Sequence, residues 1–363
     1  MNGRVVALVG PEKTEIQEYE LPSVAEGAAL LRVRRANVCG SDLHIHHYLN
    51  PALRDIVLGH EFVAEIAELG HGLTIDSAGD PVSVGDRVVV VYFHTCLHCA
   101  ACNRGDFNQC SNSVGSLASP PCVAPHFHGA FATHYYLSPG QYFYKVPDSV
   151  SDASVAGANC GLSQVMFAID QIGVRRSDTV VVQGAGGLGL YACAVANSSG
   201  ARVIVVERDQ VRIKAARAFG ASEVIDMTIH ETAEARLEEL QRLTDGKGAD
   251  HVIEVTGRSV AFLEAIGFAR VGGSIASVGN LNMGERYEVS IAPAIFTRKN
   301  LRVHGYLRYD PWYLSKSIDF IAENQDRYPF DSLSDRTYTI DEIEEALARS
   351  ESGEVARAAV VPA

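Results

Sequence analysis

Residues 179–189 read TVVVQGAGGLG. The residues from Thr179 to Val182 are all β-branched, which suits a strand buried on both faces. The strand runs into Gly184-x-Gly186-x-x-Gly189, and a helix-compatible stretch, 190–196, follows. The first glycine permits a tight strand-to-helix turn. The second lets backbone approach a pyrophosphate, and the third lets helix and strand pack closely. The helix N-terminus then offers free N–H groups and a positive dipole end to the phosphates. A glycine-rich turn is the plain alternative, so context has to decide. A second β-rich run, 201–206, ends in Glu207, 23 positions after Gly184 and about where a ribose-binding acid belongs. No Lys-Ser or Lys-Thr closes the loop, so a nucleoside-triphosphate P-loop does not fit. The reading is a dinucleotide site built on Gly184, Gly186, Gly187, Leu188 and Gly189, with Glu207 and its neighbour Arg208 at the ribose.

Working outward, strand-like runs near 179–183, 202–206, 223–226, 251–255, 274–278 and 301–304 alternate with longer, partly helix-compatible segments. One of these, 210–219, has Asp209 to cap it and Gly220 to end it. Six strands with crossovers make a doubly wound parallel sheet, an α/β architecture. The first third is different: runs at 4–9, 28–33, 62–68, 87–93 and 131–137 suggest a compact β-rich barrel or sandwich. The tail carries a helix at 340–350 and a last strand at 356–361, and is expected to return to the first domain. The division reads as 1–158 with 305–363, and 159–304.

At 363 residues the chain is comfortable for two domains. Its 31 basic against 44 acidic residues leave a charge of −13, which argues against a nucleic-acid partner. The apolar run near the N-terminus is too short for a signal peptide, and no run reaches the length of a membrane span. The expectation is a cytoplasmic protein with no membrane partner. In that setting eight cysteines point to metal or catalysis before disulfides.

Cys96, Cys99, Cys102 and Cys110 are spaced C-x2-C-x2-C-x7-C. Four soft thiolates this close can form a closed tetrahedral zinc site, and closed four-cysteine sites are structural. A loop of unpaired thiols is the bland alternative. An iron–sulfur site is another, but no proline follows Cys110 and the last spacing is long for a ferredoxin. A second set is dispersed: Cys39-Gly-Ser-Asp-Leu-His44, Gly59-His60-Glu61 and Asn159-Cys160-Gly161. Singly each is ambiguous, because buried cysteines are often inert and lone histidines often only satisfy a core hydrogen bond.

Together these motifs resemble the zinc-dependent medium-chain alcohol dehydrogenases, of the medium-chain dehydrogenase/reductase superfamily, over nearly the whole chain. VGDRV at 84–88, GAFATHY at 129–135 and GADHVIEVTG at 248–257 agree. The resemblance implies a Rossmann-type cofactor domain beside a β-rich, GroES-like catalytic domain. It implies a catalytic zinc held by Cys39, His60 and Cys160 with Glu61 nearby, and a structural zinc on the four-cysteine lobe, making two Zn2+ per subunit. Asp42 would steady the His60 imidazole, while Ser41 and His44 would relay a proton. Gly279 and Arg357 would join the cofactor residues, Arg357 reaching the pyrophosphate. Cys122 and Cys193 are left without a role. Ala64 stands where the family usually has glycine, Gln164 near where it often has a small residue, and Cys160 where polyol-type relatives often have glutamate.

The implied activity is reversible hydride transfer between an alcohol and NAD, with NADP less favoured because Glu207 would repel a 2′-phosphate. Tyr92 matches an aromatic pocket position. Tyr48, Phe93 and the 309–312 run could add apolar wall, so the reading leans to a secondary or bulky alcohol. Edge-strand pairing at 274–278 and 301–304 would give a homodimer or homotetramer. Two rival readings are a zinc-free quinone or enoyl reductase and a non-catalytic nucleotide-binding protein.

Overall fold

In the computed structural model, residues 1–48, 53–113, 115–334, 336–353 and 357–362 are described. Val5, Val6, Ala7 and Leu8 are fully buried in β1 (Asn2–Gly10), which pairs antiparallel with β2 (Lys13–Glu20). The β2 sequence KTEIQEYE is half charged and largely exposed, so it offers no clean apolar face to read from sequence. Then come β3 (Ala29–Asn37), β4 (Glu61–Leu69), β5 (Arg87–Val90), β6 (His134–Leu137) and β7 (Phe143–Lys145). The middle of the chain supplies β8 (Thr179–Gln183), β9 (Arg202–Glu207), β10 (Glu223–Asp226), β11 (Ala249–Glu254), β12 (Ala269–Ser277) and β13 (Arg302–Gly305). The tail adds β14 (Arg336–Tyr338) and β15 (Ala358–Val360); Ala356, in the strand expected at 356–361, lies outside the described residues.

The chain divides into two units, Met1–Ser163 with Asp310–Ala363, and Gln164–Tyr309. In the first, a seven-stranded sheet runs β14-β15-β3-β4-β5-β7, with β6 also on β3. The antiparallel pairing of β15 with β3 ties the tail to this unit. In the second, six strands, all paired in parallel, run β10-β9-β8-β11-β12-β13. The chain winds outward from β8 to β10, then returns to place β11 on the other side of β8. The carboxyl ends of β8 and β11 therefore mark the switch point where such sheets take ligands.

Both junctions lie five residues beyond the expected 158 and 304. The amide of Asn159 donates to the carbonyls of His60 and Val90, at 2.8 and 2.9 Å, which holds 158–162 in the first unit. At the other end Tyr306 N–H still bonds the Ser277 carbonyl, so the second unit continues past β13. The Gln210–Ala218 helix is capped by the Asp209 carboxylate, which accepts from the N–H groups of Val211 and Arg212. Ala64 is an ordinary buried β4 residue paired with Val33 and Val88, a place that does not call for glycine.

Candidate active site

Three elements of the first unit bring the dispersed motifs together. Cys39 caps the seven-residue helix Gly40–His46, His60 and Glu61 stand at the start of β4, and Cys160 lies in a π-helical turn, Ala158–Leu162. Such π turns recur at functional positions. One ligand atom each from Cys39, His60, Glu61 and Cys160 falls within 4.8 Å of the others, and all four residues are buried. The Cys39 and Cys160 sulfurs are 4.0 Å apart. Two thiolates this close in a buried site would repel. The hydrogen bond from Cys160 pulls Cys39 well below the usual thiol range, and the same bond pushes Cys160 well above it. A divalent cation would let both ionise.

Asp42 makes His60 a defined ligand. Its carboxylate takes the His60 Nδ1 proton at 3.0 Å and the Cys39 N–H at 2.8 Å. Nε2 is thereby left facing the site, and the Ser41 hydroxyl lies 3.2 Å from it. Burial works to lower the His60 pKa, but the charge and hydrogen bond of Asp42 outweigh it and raise it well above the ordinary value. Glu61 is wholly buried, and desolvation lifts its carboxyl well above the usual range against the pull of Arg357. Arg357 Nη1 donates to Glu61 Oε2 at 2.6 Å, while Glu61 Oε1 has no hydrogen-bond partner among the described residues. An unpartnered buried carboxylate oxygen beside two thiols and an imidazole fits a cation there.

The cysteine lobe folds around its own sulfurs. Cys96 N–H points to Cys110 Sγ and Cys99 N–H to Cys96 Sγ, both at 3.3 Å, and Cys102 N–H to Cys99 Sγ at 3.5 Å. One ligand atom from each of the four lies within 4.8 Å of the rest. Backbone N–H donation from Cys102 and Ser111 brings Cys99 to about 5, and donation from His98 brings Cys96 to about 7. Burial holds Cys102 up at about 12. The lobe is poised to surrender protons to a metal at some positions and needs one to ionise fully at others.

In the second unit each glycine of the turn has its own geometry. Gly184 has φ +91, and a Cβ there would meet the Thr256 methyl at 2.9 Å. A Cβ at Gly189 would lie 1.9 Å from the Gly184 carbonyl oxygen, whereas one at Gly186 would meet nothing within 4 Å. Gly186 is the N-cap of the helix Gly187–Ser198, so that open space adjoins the helix N-terminus, the place expected for a pyrophosphate. Glu207 is buried at the end of β9, its carboxylate accepting from Ala185 N–H at 2.8 Å, Arg208 N–H at 2.7 Å and Asp209 N–H at 3.1 Å. Three of about four acceptor sites are thus in use, which leaves one for a further donor.

Residues 25–148 match the family described as alcohol dehydrogenase GroES-like domain, and 187–323 the family described as zinc-binding dehydrogenase. The chain is 34% identical to a 5-exo-hydroxycamphor dehydrogenase of Pseudomonas putida, covering 96% of each chain. It is 31% identical to a sorbitol dehydrogenase of Halalkalibacterium halodurans, over 96% of this chain and 95% of that one. It belongs to the zinc-binding medium-chain alcohol dehydrogenases. A solved alcohol dehydrogenase from Thermotoga maritima superposes with a TM-score of 0.94 at 27% identity, covering 100% of both chains.

As a member of this oxidoreductase family the enzyme interconverts alcohols and carbonyls with a nicotinamide cofactor and is of the zinc-binding type. Among the residues named from sequence, the structure gathers Cys39, Ser41, Asp42, His60, Glu61 and Cys160. His44 lies three residues after Ser41 on the same helix and is half-buried. Arg357 is neither solvated nor free to extend, because it is buried in its pair with Glu61. The aromatic expectations divide. Tyr92 packs beside the His60 ring at 5.1 Å, so it borders the site. Phe93 and Tyr309 are core residues, Tyr48 donates to Asp55, and Trp312 packs edge-on against Phe107 of the lobe. Sequence reasoning gives Asn159 no role, yet its amide fixes the turn carrying Cys160 to the strand carrying His60. Its only cue is its place next to that cysteine.

Proposed function

We propose that the enzyme carries two zinc ions per subunit, a catalytic one on Cys39, His60 and Cys160 with Glu61 adjacent, and a structural one on Cys96, Cys99, Cys102 and Cys110. The observation that carries the reading is the buried convergence of the first four side chains within 4.8 Å. When bound, the metal supplies a Lewis acid for the alcohol oxygen and the nicotinamide a hydride acceptor. The chain's own residues do the rest. Asp42 holds the His60 ring and its tautomer. Ser41, at 3.2 Å from His60 Nε2, stands where it can take the substrate hydroxyl proton and pass it on, and His44 exchanges it with solvent. Arg357 donates to the buried Glu61 carboxyl and holds it in place beside the donor set.

The substrate we assign is a bulky or secondary alcohol, on the hydroxycamphor dehydrogenase similarity and on the Tyr92 ring beside His60. We place the enzyme in the cytoplasm, since its eight free cysteines suit a reducing compartment. No helix of the described residues is long and apolar enough to cross a membrane. The exposed edge strand β13 supports assembly as a homodimer or homotetramer. A zinc-free reductase would have no use for this buried donor set, so metal analysis separates the two. The deciding experiment is a panel of primary, secondary, cyclic and polyhydric alcohols with each cofactor; activity on polyols alone would remove the bulky-alcohol assignment.

Cofactor choice is the sharpest part of that panel. The Glu207 carboxylate is buried and tied to three N–H groups, so it cannot swing away from a 2′-phosphate. At an effective dielectric of about 20, like charges about 4 Å apart cost about 4 kcal/mol before screening. Arg208 is exposed next to it and can pair with phosphate. Repulsion should prevail, with kcat/KM for NAD exceeding that for NADP at least about tenfold. A higher kcat/KM with NADP would show the arginine in control.

A further inference from the structure

We propose that Glu254 is a positioning residue for the dinucleotide, fixing the turns after β11 and β12 against the phosphate-binding loop through a carboxylate matched to Asn280. The proposal rests on the dinucleotide reading of Gly184 to Gly189. Glu254 ends β11 and its side chain has no exposure to solvent. Oε1 accepts from Thr256 N–H at 2.7 Å, the Thr256 hydroxyl at 2.6 Å and Gly257 N–H at 3.1 Å. Oε2 accepts from the Asn280 amide at 2.5 Å. The Glu254 main-chain carbonyl takes the N–H groups of Val278 and Gly279, both at 3.0 Å. One residue thereby ties together the backbone of two separate turns.

Those turns touch the loop read as the phosphate site. The Thr256 methyl stands 2.9 Å from where a Gly184 Cβ would be, so Thr256 sets how far the first glycine can move. The Thr256 hydroxyl, while donating to Glu254, accepts from Arg258 N–H at 3.0 Å, which leaves its rotamer no choice. A Cβ at Gly279 would lie 2.5 Å from Gly257 N, so the two turns pack backbone against backbone. All four side-chain contacts of Glu254 are donors, which favour the ionised acid against the burial that raises its pKa. A buried charge satisfied only by neutral donors demands that each stay in place, and this makes the group a rigid spacer at the switch point.

The matching of acceptor to donor gives the test. Asn280 is exposed, so its variants should fold. Asn280→Asp sets a second carboxylate against Glu254 and forces the turns apart. Glu254→Gln in that background restores a donor–acceptor pair with the polarity reversed. NADH and NADPH binding are measured by fluorescence at pH 8, with KM and kcat alongside. The wild-type protein should bind one of the two; binding of neither overturns the dinucleotide reading itself. Asn280→Asp should weaken the preferred cofactor about tenfold or more, with the loss in KM rather than kcat, and the double variant should recover to within about threefold. If Asn280→Asp weakened binding only by repelling the cofactor phosphates, the double variant would stay weak, because it keeps the introduced carboxylate. A wild-type protein that binds, with Asn280→Asp unchanged or the double variant unrecovered, overturns the positioning role alone.

Discussion

Cys160→Ala should abolish turnover and leave a folded protein, whereas Cys102→Ala should mainly prevent folding of the lobe. The difference follows from what each thiol supports. Cys160 is held in a turn whose place is set by Asn159, which bonds the carbonyls of His60 and Val90 without help from the sulfur. The lobe meets the tail through Phe107 against Trp312 and Asn108 N–H to Asp310, but its turns close on their own sulfurs. Its α-helix, Ala100–Arg104, has five residues, too short to persist unaided, and its N-cap is Cys99. Closed four-thiolate sites contribute folding free energy directly, while an open three-ligand site mainly contributes reactivity. The wild-type chain should therefore contain two zinc ions, and Cys160→Ala one. A chelator should remove activity and one metal first, and the second metal only as tertiary structure is lost. Metal content, near-ultraviolet circular dichroism and kcat are read on the same samples. Fully active enzyme with one metal per chain would overturn the assignment.

Ser41→Ala should lower kcat by about 100-fold, the scale at which a positioned acid–base group contributes. The hydroxyl lies 3.2 Å from His60 Nε2 and is part of the first turn of a helix locked by the Asp42 bond to Cys39 N–H. Alanine keeps the helix and removes only the oxygen, so thermal stability should barely move. His44→Gln should be milder, because water partly replaces a group at the solvent end. Its loss should be felt most at low pH, where hydroxide is scarce, and imidazole buffer should restore part of the rate. A flat response of the pH–rate profile to His44→Gln, with no buffer effect, would show that the proton leaves another way.

What the sequence determined by itself was local. Gly184, Gly186 and Gly189 have roles set within six residues of backbone, so spacing alone is informative, and the structure returns a tight turn, an open face and a close approach in that order. The lobe cysteines work the same way, because a span of 15 residues lets their sulfurs gather within one loop, as they do here. The β-branched run of β8 likewise declared a strand buried on both faces, with Val180, Val181 and Val182 at zero exposure. β2 was invisible for the converse reason: most of its side chains are exposed, with Thr14, Gln17 and Tyr19 only partly buried, so no apolar alternation marks it.

Other features needed tertiary structure. Cys39 and Cys160 are 121 residues apart; the resemblance set them on one metal, but their sulfurs meet through the pairing of β3 with β4 and the Asn159 link to the π-helical turn. Arg357 looked able to reach a cofactor, but 296 residues away lay the buried carboxylate of Glu61, and an unpaired charge there would be too costly to leave. Glu254 carried no signal beyond its place in the GADHVIEVTG match, yet packing two turns at the switch point surrounded it with four donors. Chain connectivity specifies contacts a few residues apart. Which buried charge finds which partner across the fold is decided by desolvation, and that cost exists only once the core has formed.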